Sequence, residues 1–181
     1  MSDAFGIAIL MKRRNDMIKL ETSMGDILIA LDEEKAPKSA ANILEYVNAG
    51  HYDGTIFHRV INGFMIQCGG MTEDLQEKST NAPIENEADN GLKNISYSVA
   101  MARTSDPHSA TAQFFINVKN NDSLDHKSKT PDGWGYAVIG KVAKGHQVVN
   151  KIKGVATGRK GTYDDVPKTP IVINKASVVE E

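Results

Sequence analysis

From residue 18 onward the chain is a succession of short apolar runs separated by turn-rich polar stretches, with only two segments at helical spacing. Ile18, Leu20 and Thr22 alternate with Lys19 and Glu21, the period of a strand with one buried face. A turn at 23–26 and a second apolar run at 27–31 predict a hairpin. Further strands are predicted over 56–61, 64–67, 97–101, 113–118, 136–142 and 171–179. Between the second and third strands, Pro37 suits a first helical turn, and Asp32, Glu33 and Glu34 just upstream favour the positive helix end. Ala36, Ala40, Ile43 (or Leu44) and Val47 follow at helical spacing, with Gly50 as the stop. A second helix is predicted at 146–153, with Val148, Val149 and Ile152 on one side. Strands that do not alternate with helices cannot build a parallel βαβ sheet. The expected fold is mainly β: a closed eight-stranded antiparallel β-barrel, because closure removes exposed edges, capped by two α-helices at its ends. The polar stretches 71–92, 104–111, 122–135 and 154–170 are expected loops, where binding concentrates on rigid scaffolds.

At 181 residues the chain has the length of one domain. Its net charge of −2 argues against a nucleic-acid binder that depends on counterion release, and 6% aromatic residues are few for base stacking. The apolar runs are too short to span a bilayer, so no membrane partner is expected. The lone Cys68 cannot form an internal disulfide and suits a reducing, cytoplasmic setting. It ends an apolar strand without a basic neighbour, which reads as a packed thiol. At the N-terminus, apolar residues 4–11 precede Lys12-Arg13-Arg14, the reverse of a secretory signal. Residues 1–16 are therefore expected to be a flexible extension, or an upstream start. The other reading is a short docking segment for a partner or a membrane surface. The folded domain is expected at 17–181.

Phosphate-binding loops, nucleophile elbows, zinc-protease motifs and paired C-x-x-C are all absent from the sequence. His51, His58, His108, His126 and His146 are scattered without ligand spacing, so no metal site is expected. Asn94-Ile95-Ser96 and Asn121-Asp122-Ser123 fit the glycosylation sequon, read here as chance matches. Arg59 stands out as an arginine inside an apolar strand, where alternation puts it on the same side as Phe57 and Ile61. A buried guanidinium must be paired or aimed at a ligand. Gln67, on the same side of its strand as Met65, could hold Arg59 in one orientation. In the strand 113–118, Phe114, Ile116 and Val118 point inward, leaving Gln113 and Phe115 outside. Arg59, Met65, Gln67, Gln113 and Phe115 then compose an apolar pocket with a few convergent polar groups. In the alternative, Arg59 pairs with a loop carboxylate and the aromatic residues pack under loops.

At these residues the sequence resembles a known family. Phe57-His58-Arg59-Val60-Ile61, Gly63-Phe64-Met65-Ile66-Gln67 and Ala112-Gln113-Phe114-Phe115-Ile116 are similar to the signature segments of the cyclophilin peptidyl-prolyl cis–trans isomerases. The resemblance covers nearly all of 17–181. It is closest to the bacterial cytoplasmic members, which similarly carry Met101-Ala102-Arg103-Thr104 and Pro107-His108-Ser109-Ala110-Thr111-Ala112-Gln113. It implies an outer-face proline groove and no cofactor. Position by position, it implies Arg59 as the catalytic arginine and Phe64, Met65, Phe115 and Leu124 as the proline pocket. Gln67 would support the arginine and Gln113 would touch the substrate backbone. Ala102 and Arg103 would lie beside the residue preceding proline, and Tyr136 stands where a histidine is common. Ser123 replaces a tryptophan just before Leu124, which puts tight cyclosporin binding in doubt and leaves at most a weak one. Trp134 lies in the following loop, and Cys68 replaces a glycine.

The activity so implied is rotation about X–Pro bonds in peptides and in unfolded or folding proteins, by a cytoplasmic, monomeric, chaperone-like enzyme. A peptide bond rotates over a barrier of about 18–20 kcal/mol because the nitrogen lone pair is delocalised. A group that hydrogen-bonds this lone pair only when it is localised favours the twisted state. The competing expectation is a module that uses the same groove merely to hold proline-containing segments.

Overall fold

The first two runs pair as expected. β1 (Met17–Thr22) turns back into β2 (Gly25–Leu31), with Met17 opposite Ala30 and Thr22 opposite Gly25. The computed structural model describes residues 16–180, so the expected extension lies outside the described residues except for Asp16. The chain continues through α1 (Pro37–Asn48), β3 (Thr55–Ile56), β4 (Arg59–Ile61), β5 (Met65–Cys68), β6 (Ser98–Met101) and β7 (Phe114–Asn117). It ends with β8 (Val138–Lys144), α2 (His146–Lys153), β9 (Thr157–Lys160), β10 (Tyr163–Pro167) and β11 (Val172–Val179).

Nine strands form one antiparallel sheet in the order β3-β11-β1-β2-β8-β6-β7-β5-β4. Its two edges, β3 and β4, are consecutive in the chain and joined only by Phe57-His58. Three residue steps span at most about 11 Å, so the sheet must curl until its edges nearly meet. No ladder joins β3 to β4, and the curl stops short of a continuously bonded barrel.

That break corrects one expectation. A single strand over 56–61 would place Phe57 and Arg59 on the same side. The chain instead changes sheet edge at Phe57-His58, so Phe57 is fully buried in the core while Arg59 is exposed.

Inside the curl, alternate residues of each strand interlock: Ile18 and Leu20, Ile27 and Ile29, Ile66, Val99, Phe114 and Ile116, and Ile139, all buried. Burial of such side chains contributes about 1.5–3 kcal/mol each. α1 adds Ala40, Ile43 and Val47 and packs against β11; Ile43 takes the core position and Leu44 is only partly buried. α2 adds Val148, Val149 and Ile152 and packs against β2, β4 and β5.

The N-terminus of α1 is not served by the local acids as expected. Glu87, far along the chain, accepts from the Ser39 N–H and Oγ (both 2.7 Å) and from the Lys38 N–H (3.3 Å). Asp32 spends itself on the Lys35 N–H. The stretch 154–170, expected as a loop, contains the hairpin β9–β10, whose second strand lies beside β4. Its polar sequence hides the strand period.

Cys68 continues β5 opposite Phe114 and is fully buried, and burial pushes its thiol pKa far up. A thiol there should resist alkylation in the native protein and react only in denaturant, as a timed thiol-labelling assay with and without urea would show. Among the described residues no helix is long and apolar enough to cross a membrane.

Candidate active site

The strand period that fills the core also builds the outer face. Ile66 and Cys68 point inward from β5, which turns Met65 and Gln67 outward. In β6 and β7 the same alternation sends Val99, Phe114 and Ile116 in and Ala100 and Phe115 out. Register then aligns these side chains. Arg59 is opposite Gln67, Gln67 opposite Phe115, and Phe115 opposite Ala100, a row across four strands about 4.8 Å apart.

A second apolar cluster therefore forms outside the sheet. Met65, Ala100, Phe115 and Val138 are buried at its centre, and Ile61, Phe64, Leu92, Ala102, Leu124 and Tyr136 pack against them. It surrounds a pocket of about 150 Å³ lined by Arg59, Phe64, Met65, Gln67, Ala102, Arg103, Phe115, Leu124 and Tyr136. A cavity of about that volume takes up one benzene-sized ring. All nine residues were expected site residues. The tenth, Gln113, lines an adjoining groove of about 140 Å³ with Thr104, Ser109 and Thr111, and shares Gln67, Ala102 and Arg103 with the ring pocket.

The two arginines differ. Arg103 is held fast: Nε and Nη2 donate to the Gly135 carbonyl at 3.1 and 3.0 Å, and Nη1 donates to the Thr104 carbonyl at 2.9 Å. Its guanidinium carbon lies 4.3 Å from the centre of the Tyr136 ring, which meets Phe115 edge-on at 5.8 Å. The Arg59 guanidinium makes no hydrogen bond or ion pair among the described residues, so the alternative of a loop carboxylate fails. Gln67 does not hold it either. Gln67 Nε2 donates to Gln113 Oε1 at 2.8 Å, and the two amides brace each other along the pocket wall. Gly70 lies directly beneath Gln113, and a Cβ there would collide with that side chain.

Behind Arg59, His58 is buried with its Nδ1 unpartnered. Burial first, and the neighbouring Arg59 charge second, push its pKa down to about 4. The unfolded chain, with histidine near 6.5, therefore binds the proton over pH 4–6.5 while the native state does not. Stability should rise with pH through that window, and about 3 kcal/mol should be lost on acidification from 7 to 4. Urea midpoints of wild type and His58→Gln at both pH values test this; the variant should show a markedly smaller acid loss. His51, whose pKa burial also lowers, adds in the same direction and remains in both proteins.

One set of residues escaped sequence reasoning. Asn117 is fully buried at the outward end of β7. Its Nδ2 donates to Asn94 Oδ1 (3.0 Å) and Ser98 Oγ (2.9 Å), and its Oδ1 accepts from Asn121 Nδ2 (2.7 Å). Asn121 also donates to the Phe64 carbonyl, and Asn94 to the Leu124 and Tyr136 carbonyls and to Asp125. Three pocket residues from three segments are thus tied to one amide cluster. Asn94 and Asn121 are the two sequon asparagines, both buried and bonded, which explains those matches structurally. An amide inside an apolar strand was the available signal, because a buried amide demands partners.

Ser123 is exposed on the short turn Asp122–Leu124, beside Leu124. Trp134 lies between the rings of His108 (4.9 Å) and His126 (5.1 Å). No cluster of three or more His, Cys, Asp or Glu that could hold a metal occurs among the described residues.

A curled antiparallel sheet with two helices thus carries, on its outer face, a pocket of about one ring's volume beside a guanidinium that no described residue engages. The family described as cyclophilin type peptidyl-prolyl cis-trans isomerase/CLD matches residues 17–178. Peptidyl-prolyl cis-trans isomerase cyp18 of Streptomyces antibioticus is 62% identical over 162 residues, 90% of this chain and 98% of that one. Peptidyl-prolyl cis-trans isomerase B of Escherichia coli (strain K12) is 53% identical over 164 residues, 91% and 100% of the two chains. The crystal structure of a Cryptosporidium parvum cyclophilin type isomerase shares the fold at a TM-score of 0.74 and 24% identity, covering 91% of this chain and 99% of that one. The chain belongs to the cyclophilin-type peptidyl-prolyl cis–trans isomerases. Within that family it is of the bacterial type.

Proposed function

We propose that Arg59 is the catalytic residue and that Phe64, Met65, Phe115 and Leu124 seat the pyrrolidine ring of the substrate. Tyr136 closes the wall, Ala102 and Arg103 flank the residue preceding proline, and Gln113, braced by Gln67, meets the peptide backbone. In the planar ground state the prolyl nitrogen shares its lone pair with the carbonyl and accepts hydrogen bonds poorly. On twisting, the lone pair localises, and the Arg59 guanidinium donates to it. The bond is therefore strong only near the transition state, which is what catalysis requires, and needs neither nucleophile nor covalent intermediate. The observation that carries this reading is a guanidinium without a partner among the described residues, beside a pocket the size of one ring lined by Phe64, Met65, Phe115 and Leu124.

The substrates are proline-containing peptides and unfolded or folding chains. The C. parvum relative was crystallised in the presence of the dipeptide Ala-Pro. The domain at 17–181 acts as a monomer in the cytoplasm and assists folding, a setting supported by its single buried thiol. Cyclosporin binds weakly, because exposed Ser123 offers no indole beside Leu124. A protease-coupled assay on an X–Pro peptide tests the reading. Rapid cis-to-trans turnover is expected. Peptide binding without any turnover would leave a holding module in its place.

A further inference from the structure

Asn86 is buried and lies outside the ring pocket, yet its side chain joins the loops that wall it. Its Oδ1 accepts from the Ala88 N–H (2.8 Å), and its Nδ2 donates to two carbonyls from separate loops, Pro107 and Gly135 (3.1 Å each). Its backbone N–H donates to His108 Nδ1 (3.1 Å). A buried amide with both ends engaged is held in one orientation.

The Gly135 carbonyl is the point of leverage. It also accepts from Nε and Nη2 of Arg103. The other acceptor of that guanidinium, the Thr104 carbonyl, belongs to the next residue and moves with it. Gly135 is therefore the hydrogen-bond partner that fixes Arg103 relative to the Tyr136 ring, 4.3 Å away. Residue 135 has a φ of +73°, and a Cβ there would fall 2.6 Å from the Leu124 carbonyl oxygen, so only glycine fits. A glycine link turns more freely than any other. Among the described residues, Asn86 Nδ2 is the one donor besides Arg103 itself that pins this carbonyl.

Asn86 is anchored in turn. Glu87 holds the start of α1, Glu85 pairs with Lys38 (2.8 Å), and the Ile84 N–H donates to the Ala110 carbonyl (3.0 Å). The segment 84–87 is thus a fixed post.

We propose that Asn86 is a positioning residue for the substrate site: through the Gly135 carbonyl it holds the Arg103 guanidinium against Tyr136. The inference rests on Arg103 flanking the residue that precedes proline.

Two measurements test it in the full chain. Asn86→Ser keeps a hydroxyl for the Ala88 N–H and loses the reach to Gly135; Asn86→Ala removes both and checks the result. KM for an X–Pro peptide should rise roughly 3- to 10-fold in either variant, the factor one lost hydrogen bond sets, with kcat little changed. In an Arg103→Ala background, Asn86→Ser should add nothing to KM, because the wall it positions is gone. By NMR, the Arg103 Nε–H, identified by its absence in Arg103→Ala, should exchange with solvent faster in Asn86→Ser by a similar factor. An unchanged exchange rate in the folded variant would overturn the proposal. So would an equal KM rise with and without Arg103, which would make Asn86 a general loop support, or a KM that Asn86→Ser leaves unmoved while Arg103→Ala raises it. Failure of the underlying reading looks different: Arg103→Ala alone would leave KM unmoved, and the exchange rate would still decide whether Asn86 holds the guanidinium.

Discussion

Replacing Arg59 by alanine is expected to lower kcat/KM for an X–Pro peptide by roughly 10- to 150-fold, without unfolding the protein. The range follows from one charge-assisted hydrogen bond, about 1.5–3 kcal/mol net, at about 1.4 kcal/mol per tenfold. Most of the loss should fall on kcat, because the bond exists only in the twisted state; a rise in KM alone would mean that Arg59 merely binds. The fold should survive because the Arg59 side chain is exposed and holds nothing else in place. Arg59→Lys should recover little, since an ammonium lacks the planar fork that presents donors along the pocket mouth. Arg103→Ala should behave differently. That guanidinium is a wall element fixed to Gly135 and Tyr136, so its removal should mainly raise KM. An Arg59→Ala protein with undiminished turnover would overturn the assignment.

Asn117→Ala should cost about 3 kcal/mol of stability, the largest structural effect expected of any single pocket-supporting residue. The substitution leaves buried Asn94 Oδ1 without a donor and takes one partner each from Ser98 Oγ, which keeps the Ile95 carbonyl, and Asn121 Nδ2, which keeps the Phe64 carbonyl. An orphaned buried group costs about 1–3 kcal/mol, and the two lost bonds add to it. For a domain of this length that corresponds to a drop in Tm of about 6–12 °C, measurable by calorimetry. The same change removes the amide that orients Asn94 and Asn121, whose side chains hold the carbonyls of Leu124, Tyr136 and Phe64. KM should therefore rise even at temperatures where the protein is fully folded. A variant with unchanged Tm would show that the amide cluster is incidental to the pocket.

Much of the site could be read from local pattern. Period-two alternation turns Met65 with Gln67, and Gln113 with Phe115, onto one face of their strands, and the structure keeps both pairs there. Alternation failed at residues 56–61, where the chain leaves one sheet edge and joins the other, so that Phe57 enters the core and Arg59 faces out. Nothing local announces such a change of edge. The hairpin β9–β10 was hidden for a related reason: its strands pair chiefly with each other and carry little apolar alternation.

What the sequence determined by itself is therefore everything governed by short-range geometry. That covers the apolar strands, the two helical segments, and which side chains share a face within an unbroken strand. Those depend on backbone period and burial, both written into neighbouring residues. Tertiary structure alone decided the partners: Glu87 capping α1, Gln67 bonding Gln113 and not Arg59, and three asparagines from separate segments closing on one another. Such pairings join residues many positions apart. They arise because a curled sheet leaves each buried polar group with few neighbours to satisfy it, and leaves the Arg59 guanidinium, at the rim, with none among the described residues.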